Sequence, residues 1–246
     1  MTNFKQKIDF SKKVIRDAIE KYPKIGVACS FGKDSMVIAH LAREVDKNIP
    51  IFSVMTIYKP TETLKYLVEA NQKMNLGVKV YIVADEVPQI LKDAGIETVL
   101  LPTKNFKEAL EKSQKEQGKM LYDIEPDSCC NFLKVEPIKE ALKNFDAWIA
   151  GLRRSEGETR ADLDYIIHKG NIVKINPILD FNELDVWRYL ALYQIPSNPL
   201  YKEGYRSLGC APCSKIVADD EKERAGRWLG TNKCGGECGI HSKLLK

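Results

Sequence analysis

Two close pairs of thiols are the first chemistry in this chain: adjacent Cys129-Cys130 in "EPDSCCNFLK", and Cys210-x-x-Cys213 in "GCAPCSK". Four thiolates fill the coordination of a tetrahedral Zn²⁺ or of a [4Fe–4S] cluster. Adjacent cysteines strain to reach one mononuclear metal, whereas a cubane offers separate irons to neighbouring ligands, so iron–sulfur is favoured over zinc. Four buried, chemically idle thiols are the plain alternative, since cysteine is a common core residue. The remaining cysteines are Cys29, read as a small buried hydrophobe, and Cys234 and Cys238 in "KCGGECGIH".

The second candidate is "SFGKDS", Ser30, Phe31, Gly32, Lys33, Asp34 and Ser35, between the apolar run "IGVACSF" and the helical pattern "SMVIAHLAREV". A helix N-terminus after a buried strand directs free backbone N–H groups and a positive dipole end at an anion. Gly32 allows close approach, and Ser30, Lys33 and Ser35 add donor groups. The Walker A pattern fails because position 27 is Val and Asp34 follows Lys33. An ordinary capped helix is the plain reading.

These sites need a scaffold. Buried strands are expected over 25–31, 49–56, 78–85 and 147–151. Helices are expected over 61–74, 107–118 (ending at Gly118), 135–145 and 182–195, the last with Asn182 as N-cap. A hairpin is expected to turn at Lys169-Gly170-Asn171. Alternating strands and helices give an α/β fold with a mostly parallel sheet flanked by helices. Residues 1–195 are expected to form the nucleotide-binding domain, and 196–246 an extension that completes the thiol site and carries a Cys-containing tail.

The chain has 246 residues, 44% hydrophobic, with a formal charge of +4. That length buries one full-sized core with an appendage. The small charge suits anionic small molecules at least as well as nucleic acid, so no nucleic-acid partner is expected. No apolar run approaches the roughly 20 residues that span a bilayer, so no membrane partner is expected and the location is read as cytoplasmic. Clustered thiols in a reducing compartment favour metal binding or catalysis over disulfides.

The loop "SFGKDS" resembles the PP-loop, S-[GF]-G-x-D-S, of the adenine nucleotide α-hydrolase-like fold. After it come, in order, "CCNFLKVEPI", "GLRRSEGETRADL", "GCAPCSK", "ERAGRW" and "ECGIH". Together they resemble the assimilatory sulfonucleotide reductases, specifically the iron–sulfur type that reduces adenosine 5′-phosphosulfate (APS). The similarity runs from about residue 25 to residue 241.

The resemblance implies a [4Fe–4S] cluster on Cys129, Cys130, Cys210 and Cys213, and Cys238 as the nucleophile that forms an S-sulfonate. It places Lys134 between cluster and substrate sulfate, Arg224, Arg227 and His241 near the sulfate, and Arg153, Arg154 and Arg160 in an arginine loop. Thioredoxin or a similar dithiol is the implied donor, and sulfite and AMP the products. The 3′-phosphorylated substrate PAPS, giving PAP, stays open, as does a homo-oligomeric assembly. Alternatives are a PP-loop tRNA or DNA thiolase using ATP and an iron–sulfur cluster, and an ATP sulfurylase small-subunit-like protein.

Two departures stand out. "MTIYKPTETLKY" replaces the family's Asp-Thr-Gly-like stretch, which leaves the nucleotide contacts of residues 55–66 in question, with Lys59 able to accommodate an extra phosphate. Cys234 is either a spare thiol or a resolving thiol for the Cys238 S-sulfonate, the Gly235-Gly236 spacer permitting a small loop closure.

Overall fold

The computed structural model describes residues 3–218 and 220–233. Cys234, Cys238 and His241 lie outside the described residues.

The elements follow as α1 (Phe4–Lys21), β1 (Ile25–Ala28), α2 (Lys33–Val45), β2 (Ile51–Met55), α3 (Thr61–Lys73), β3 (Lys79–Val83), α4 (Gln89–Asp93) and β4 (Thr98–Leu101). Then come α5 (Lys104–Gln117), α6 (Leu121–Ile124), α7 (Pro126–Cys130), α8 (Glu136–Leu142), β5 (Ala147–Ile149), β6 (Ile166–Lys169), β7 (Ile172–Ile175) and α9 (Glu183–Leu192). A π-helical turn, Asn131–Val135, joins α7 to α8.

The strands take the order β4-β3-β2-β1-β5-β7-β6 in a seven-stranded sheet. Pairs β1–β2, β1–β5, β3–β4 and β5–β7 are parallel, and β6–β7 is antiparallel. The expected α/β fold is therefore present. Chain order runs outward from β1 to β4 and returns on the other side of β1 as β5. In parallel sheets, ligands bind beside the carboxyl ends of strands where the order reverses.

Local signals explain several boundaries. Gly118 ends α5 at φ +63, and Gly170 turns the β6–β7 hairpin at φ +56, a left-handed region open to glycine without a Cβ penalty. The Asn182 side chain accepts from the Asp185 amide at 2.8 Å while Asp185 accepts from the Asn182 amide at 3.0 Å, a reciprocal cap for α9.

The chain folds as two compact units. The first holds 1–53, 69–78 and 141–198. Its core centres on the apolar strands β1 and β5 and on α2, where Met36, Val37, Ile38, Ala39, Leu41 and Ala42 are all buried. The second holds 54–68, 79–140 and 199–246. There Val83, Phe106, Leu121, Cys129 and Leu133 form one buried cluster, and Cys210, Cys213 and Trp228 another. No helix among the described residues is long and apolar enough to cross a membrane.

In β1, a Cβ on Gly26 would meet the Phe145 ring at 2.7 Å, and that ring is stacked on Phe52 with centroids 5.4 Å apart. Gly26→Ala is expected to destabilise the fold by about 1–3 kcal/mol through overpacking. Chemical denaturation checks this, and an unchanged midpoint would contradict it.

Candidate functional site

In the first unit, the loop after β1 is a strained strand-to-helix turn. Phe31 sits at φ +60 with its side chain fully buried. That backbone region is costly for a bulky residue, and such strain collects at ligand-binding turns. Gly32 is the extended N-cap of α2 and carries no side-chain cap, so the first turn of α2 keeps backbone N–H groups without a side-chain acceptor there. Ser35 instead donates from Oγ to the Gly32 carbonyl at 2.9 Å, and Ser30 Oγ lies 3.3 Å from Ser35 Oγ. Cys29 is buried, with Sγ 3.7 Å from Ser35 Oγ and 3.8 Å from Met36 Sδ.

Lys33 is buried. Its side chain is 1% exposed and its ammonium lies 3.5 Å from Glu183 and 5.9 Å from the centre of the Trp187 ring. It is directed toward α9. The reason is positional: as first residue of α2, Lys33 extends its stem along that helix's packed face, and α9 supplies a carboxylate and an aromatic face there. Glu183 and Trp187 are thus the site-shaping residues that the sequence did not disclose.

The loop after β5 meets the loop after β1 at the reversal point. A Cβ on Gly151 would lie 3.0 Å from the Asp34 carbonyl carbon and oxygen and 3.2 Å from the Ser35 amide. Arg153, fully buried, donates from Nε to Asp34 Oδ1 at 2.5 Å and from a terminal nitrogen to Ser155 Oγ at 2.9 Å. Arg154 pairs with Asp180 and donates to the Leu163 carbonyl at 2.8 Å, and Arg160 pairs with Glu156. Arg153 thus reaches the loop after β1, and each of the three arginines is matched to a carboxylate. A buried guanidinium needs such a partner, and Arg153 fixes the carboxylate of Asp34 in return.

The second unit brings together the four thiols. Cys129, Cys130, Cys210 and Cys213 are buried and unbridged. They line one cavity with Tyr58, Tyr122, Pro126, Leu133, Pro212 and Lys134. Residues 126–130 and 211–213 form short helical turns with Pro in their first turn, which fixes how each pair is presented. The segment 56–59 straps the second pair. Thr56 Oγ1 lies 3.2 Å from Cys210 Sγ, Tyr58 O accepts from the Ala211 amide at 2.8 Å, and the turn closes through Lys59 N to Thr56 O at 3.0 Å. The Tyr58 ring packs edge-on against Tyr122, centroids 5.1 Å apart.

The electrostatics divide the thiols. Burial, helped by the neighbouring Cys210 and Cys213, pushes the Cys129 thiol up to about 12 against the pull of Lys134. Burial also opposes ionisation of Cys210, but Lys134, Lys59, the Thr56 hydroxyl and Arg227 together bring it below its ordinary value. Burial, then Cys129, Tyr122 and Cys210, pushes Tyr58 up to about 12, so its hydroxyl stays protonated.

Arg227 sits behind the Cys210 turn. A terminal nitrogen donates to the Leu208 carbonyl at 2.6 Å, a Cβ on Gly209 would overlap the guanidinium at 2.2 Å, and the guanidinium lies 4.6 Å from the Trp228 ring centre. Arg224, partly exposed, lies 5.6 Å from the same ring.

Four convergent buried thiols, one ionisation-prone beside a buried ammonium and one hydroxyl in contact with sulfur, suit a sulfur-ligated cluster and leave little reason for four idle thiols.

A reversal-point loop on an α/β sheet and a four-thiol cavity define a PP-loop protein with a sulfur-rich centre. Residues 24–216 match the phosphoadenosine phosphosulfate reductase domain. The adenosine 5′-phosphosulfate reductase of Oceanobacillus iheyensis is 32% identical over 238 residues, covering 94% of this chain and 88% of that protein. Adenosine 5′-phosphosulfate reductase 1 of Bacillus subtilis is 34% identical over 219 residues, covering 87% and 82%. Among solved structures, the phosphoadenylyl-sulfate (PAPS) reductase of Candida auris in its phosphate complex is similar in fold, with a TM-score of 0.62 and 22% identity, over 84% of this chain and 90% of that one. The chain belongs to the phosphoadenosine phosphosulfate reductase domain family, the sulfonucleotide reductases of the PP-loop superfamily.

Two outcomes follow from the geometry. Arg153→Ala leaves Asp34 without its guanidinium and is expected to cost about 3 kcal/mol and weaken AMP binding, measured by denaturation and calorimetry; unchanged affinity would separate the pair from the nucleotide loop. In metal-free protein, Lys134→Ala removes a cation that lowers the Cys210 pKa, so ultraviolet thiolate absorbance should appear at higher pH than in the parent. An unshifted titration would contradict that electrostatic role.

Proposed function

We propose that the chain reduces adenosine 5′-phosphosulfate to sulfite and AMP with electrons from a dithiol such as thioredoxin. As a member of the sulfonucleotide reductase family it is an oxidoreductase of sulfate assimilation. The observation that carries the APS reading is the buried set Cys129, Cys130, Cys210 and Cys213 with Lys134, in a chain whose relatives at 31–34% identity are named APS reductases. PAPS is the second candidate substrate, giving PAP. The soluble cytoplasm is the proposed location.

Those four cysteines would hold a [4Fe–4S] cluster, which would supply a concentrated, polarisable charge centre to the reaction. Residues 1–195 are assigned nucleotide binding, and 196–246 completion of the thiol site and delivery of the tail.

The nucleotide's phosphate faces the backbone N–H groups at the start of α2, where Gly32 and Ser30 leave room and the helix dipole favours negative charge. Arg153 holds the start of α2 through Asp34, Arg154 and Arg160 are held by Asp180 and Glu156, and the three exchange part of this pairing for substrate oxygens. Lys134, Arg224 and Arg227, with His241, supply positive charge at the sulfate, which favours the Cys238 thiolate and neutralises the transferring sulfonate.

The Cys238 sulfur attacks the sulfur of the sulfate group, and the bond from that sulfur to the bridging oxygen breaks. AMP leaves with the electron pair, and Cys238 carries an S-sulfonate. A thiolate of the donor then attacks Cys238 Sγ, sulfite departs with the former S–S pair, and the donor's second thiol releases Cys238 by closing a disulfide. The dithiol is oxidised by two electrons. Cys234 is the candidate to perform the first of these thiol attacks within the chain.

The test is intact mass analysis of anaerobically purified, reduced protein mixed with APS or PAPS and no thioredoxin. One sulfonate adduct that disappears in Cys238→Ser is expected, with the preferred nucleotide identified by its rate. If Cys234 resolves the adduct, Cys234→Ser makes it accumulate. Absence of adduct, sulfite and AMP with both nucleotides and both proteins would sink the reductase reading.

A further inference from the structure

The residues immediately before the tail are docked on the segment that presents Cys129 and Cys130. Asn232 donates from its side-chain amide to the Ile124 carbonyl at 2.9 Å, and its backbone N–H points to the Asp123 carbonyl at 3.4 Å. Lys233 pairs with Asp127 in the first turn of α7, the five-residue helix that ends in Cys129-Cys130. The Lys233 ammonium lies 5.4 Å from the centre of the Trp228 ring, and its side chain is 9% exposed.

A lysine this covered is uncommon and needs a charge partner and an apolar bed for its stem. Asp127 and Trp228 provide them. Thr231 reinforces the turn, its Oγ1 donating to the Trp228 carbonyl at 2.8 Å and accepting from the Lys233 amide at 3.2 Å. Two consecutive residues thus make three polar contacts to one short stretch, 123–127. The docking contacts all lie within the second unit.

We propose that Asn232 and Lys233 are positioning residues that anchor, beside the cysteine pair, the point from which the chain continues to Cys238. Cys238 lies five residues beyond Lys233, and five residues span at most roughly 18 Å between Cα atoms whatever their path. Fixing Lys233 on α7 therefore confines the nucleophile to a sphere centred next to the proposed cluster. The anchor limits the search that the thiol makes for its target, which is the entropic gain of a positioned nucleophile. The proposal rests on Cys238 being the nucleophile of the reaction described above.

The test uses the full chain in its iron-loaded form, as parent, Asn232→Ala, Lys233→Met and Lys233→Arg. The first readout is hydrogen exchange at residues 229–233, which needs no turnover. Protection in the parent and in Lys233→Arg, lost in Asn232→Ala and Lys233→Met, is expected; an unprotected parent overturns the docking.

The second readout is the single-turnover rate of the Cys238 sulfonate adduct with APS, beside AMP affinity and the visible absorption of the cluster. On the order of tenfold to a hundredfold slower transfer is expected for Asn232→Ala and Lys233→Met. Lys233→Arg should retain the rate, and AMP affinity and the visible spectrum should hold in all four proteins. Transfer at the parent rate in the two disruptive variants, or an equal loss in Lys233→Arg, overturns the positioning role. Should exchange follow the expected pattern while no protein forms an adduct with APS or PAPS, the reductase reading falls and the positioning role falls with it, leaving only the docking.

Discussion

Burying four thiols beside one another is the constraint on which the second unit depends. Burial raises the Cys129 thiol first, and Cys210 and Cys213 add to that rise, so each thiolate formed there raises the cost of the next. Compensation comes from groups far apart in sequence: Lys134 from the π-helical turn, Thr56 and Lys59 from the segment after β2, and Arg227 from the segment after the second cysteine pair. The fold of this unit can be understood as the arrangement that brings these groups to the cysteine pairs. The π-helical turn has a direct role here, since it follows Cys130 at once and carries the Lys134 that lines the same cavity.

The first unit solves a different problem, holding positive charge in readiness without leaving it unpaired. Arg153 and Arg160 are nearly inaccessible, and each is matched to a carboxylate. Matching keeps the guanidinium planes oriented and makes their desolvation tolerable. It also joins the loop after β5 to the loop after β1, because the carboxylate that holds Arg153 belongs to Asp34 of the latter. Gly151 permits that approach, since any side chain there would displace the start of α2.

Much of this was legible in the sequence because local signals and tertiary structure agree. The strand-loop-helix at 25–45, the turn at Gly170, the stop at Gly118 and the Asn182 cap each have a local cause, and each appears. The cysteine spacing announced a shared site, and the cavity gathers all four. Other features have only tertiary causes. Strand β4, "TVLL", is four residues with exposed and half-exposed positions, too short for periodicity to register. Helix α1 is absent from the sequence expectations although Asn3 and Gln6 form a capping box. The burial of Lys33 could not be anticipated, because Glu183 and Trp187 lie about 150 residues away. The departure at 55–66 was visible as an oddity, but its part in strapping the Cys210 turn emerges only from the Thr56 and Tyr58 contacts.

The claim that joins these observations is that Cys129, Cys130, Cys210 and Cys213 ligate one iron–sulfur cluster. Iron and acid-labile sulfide determination on anaerobically purified protein, with its Mössbauer spectrum, tests it most directly. The account predicts four irons and four sulfides per chain in a single [4Fe–4S] species, as the donor set implies, and loss of that species when either cysteine pair is replaced by serine. Stoichiometric zinc in place of iron, or a cluster that survives replacement of a pair, would contradict it.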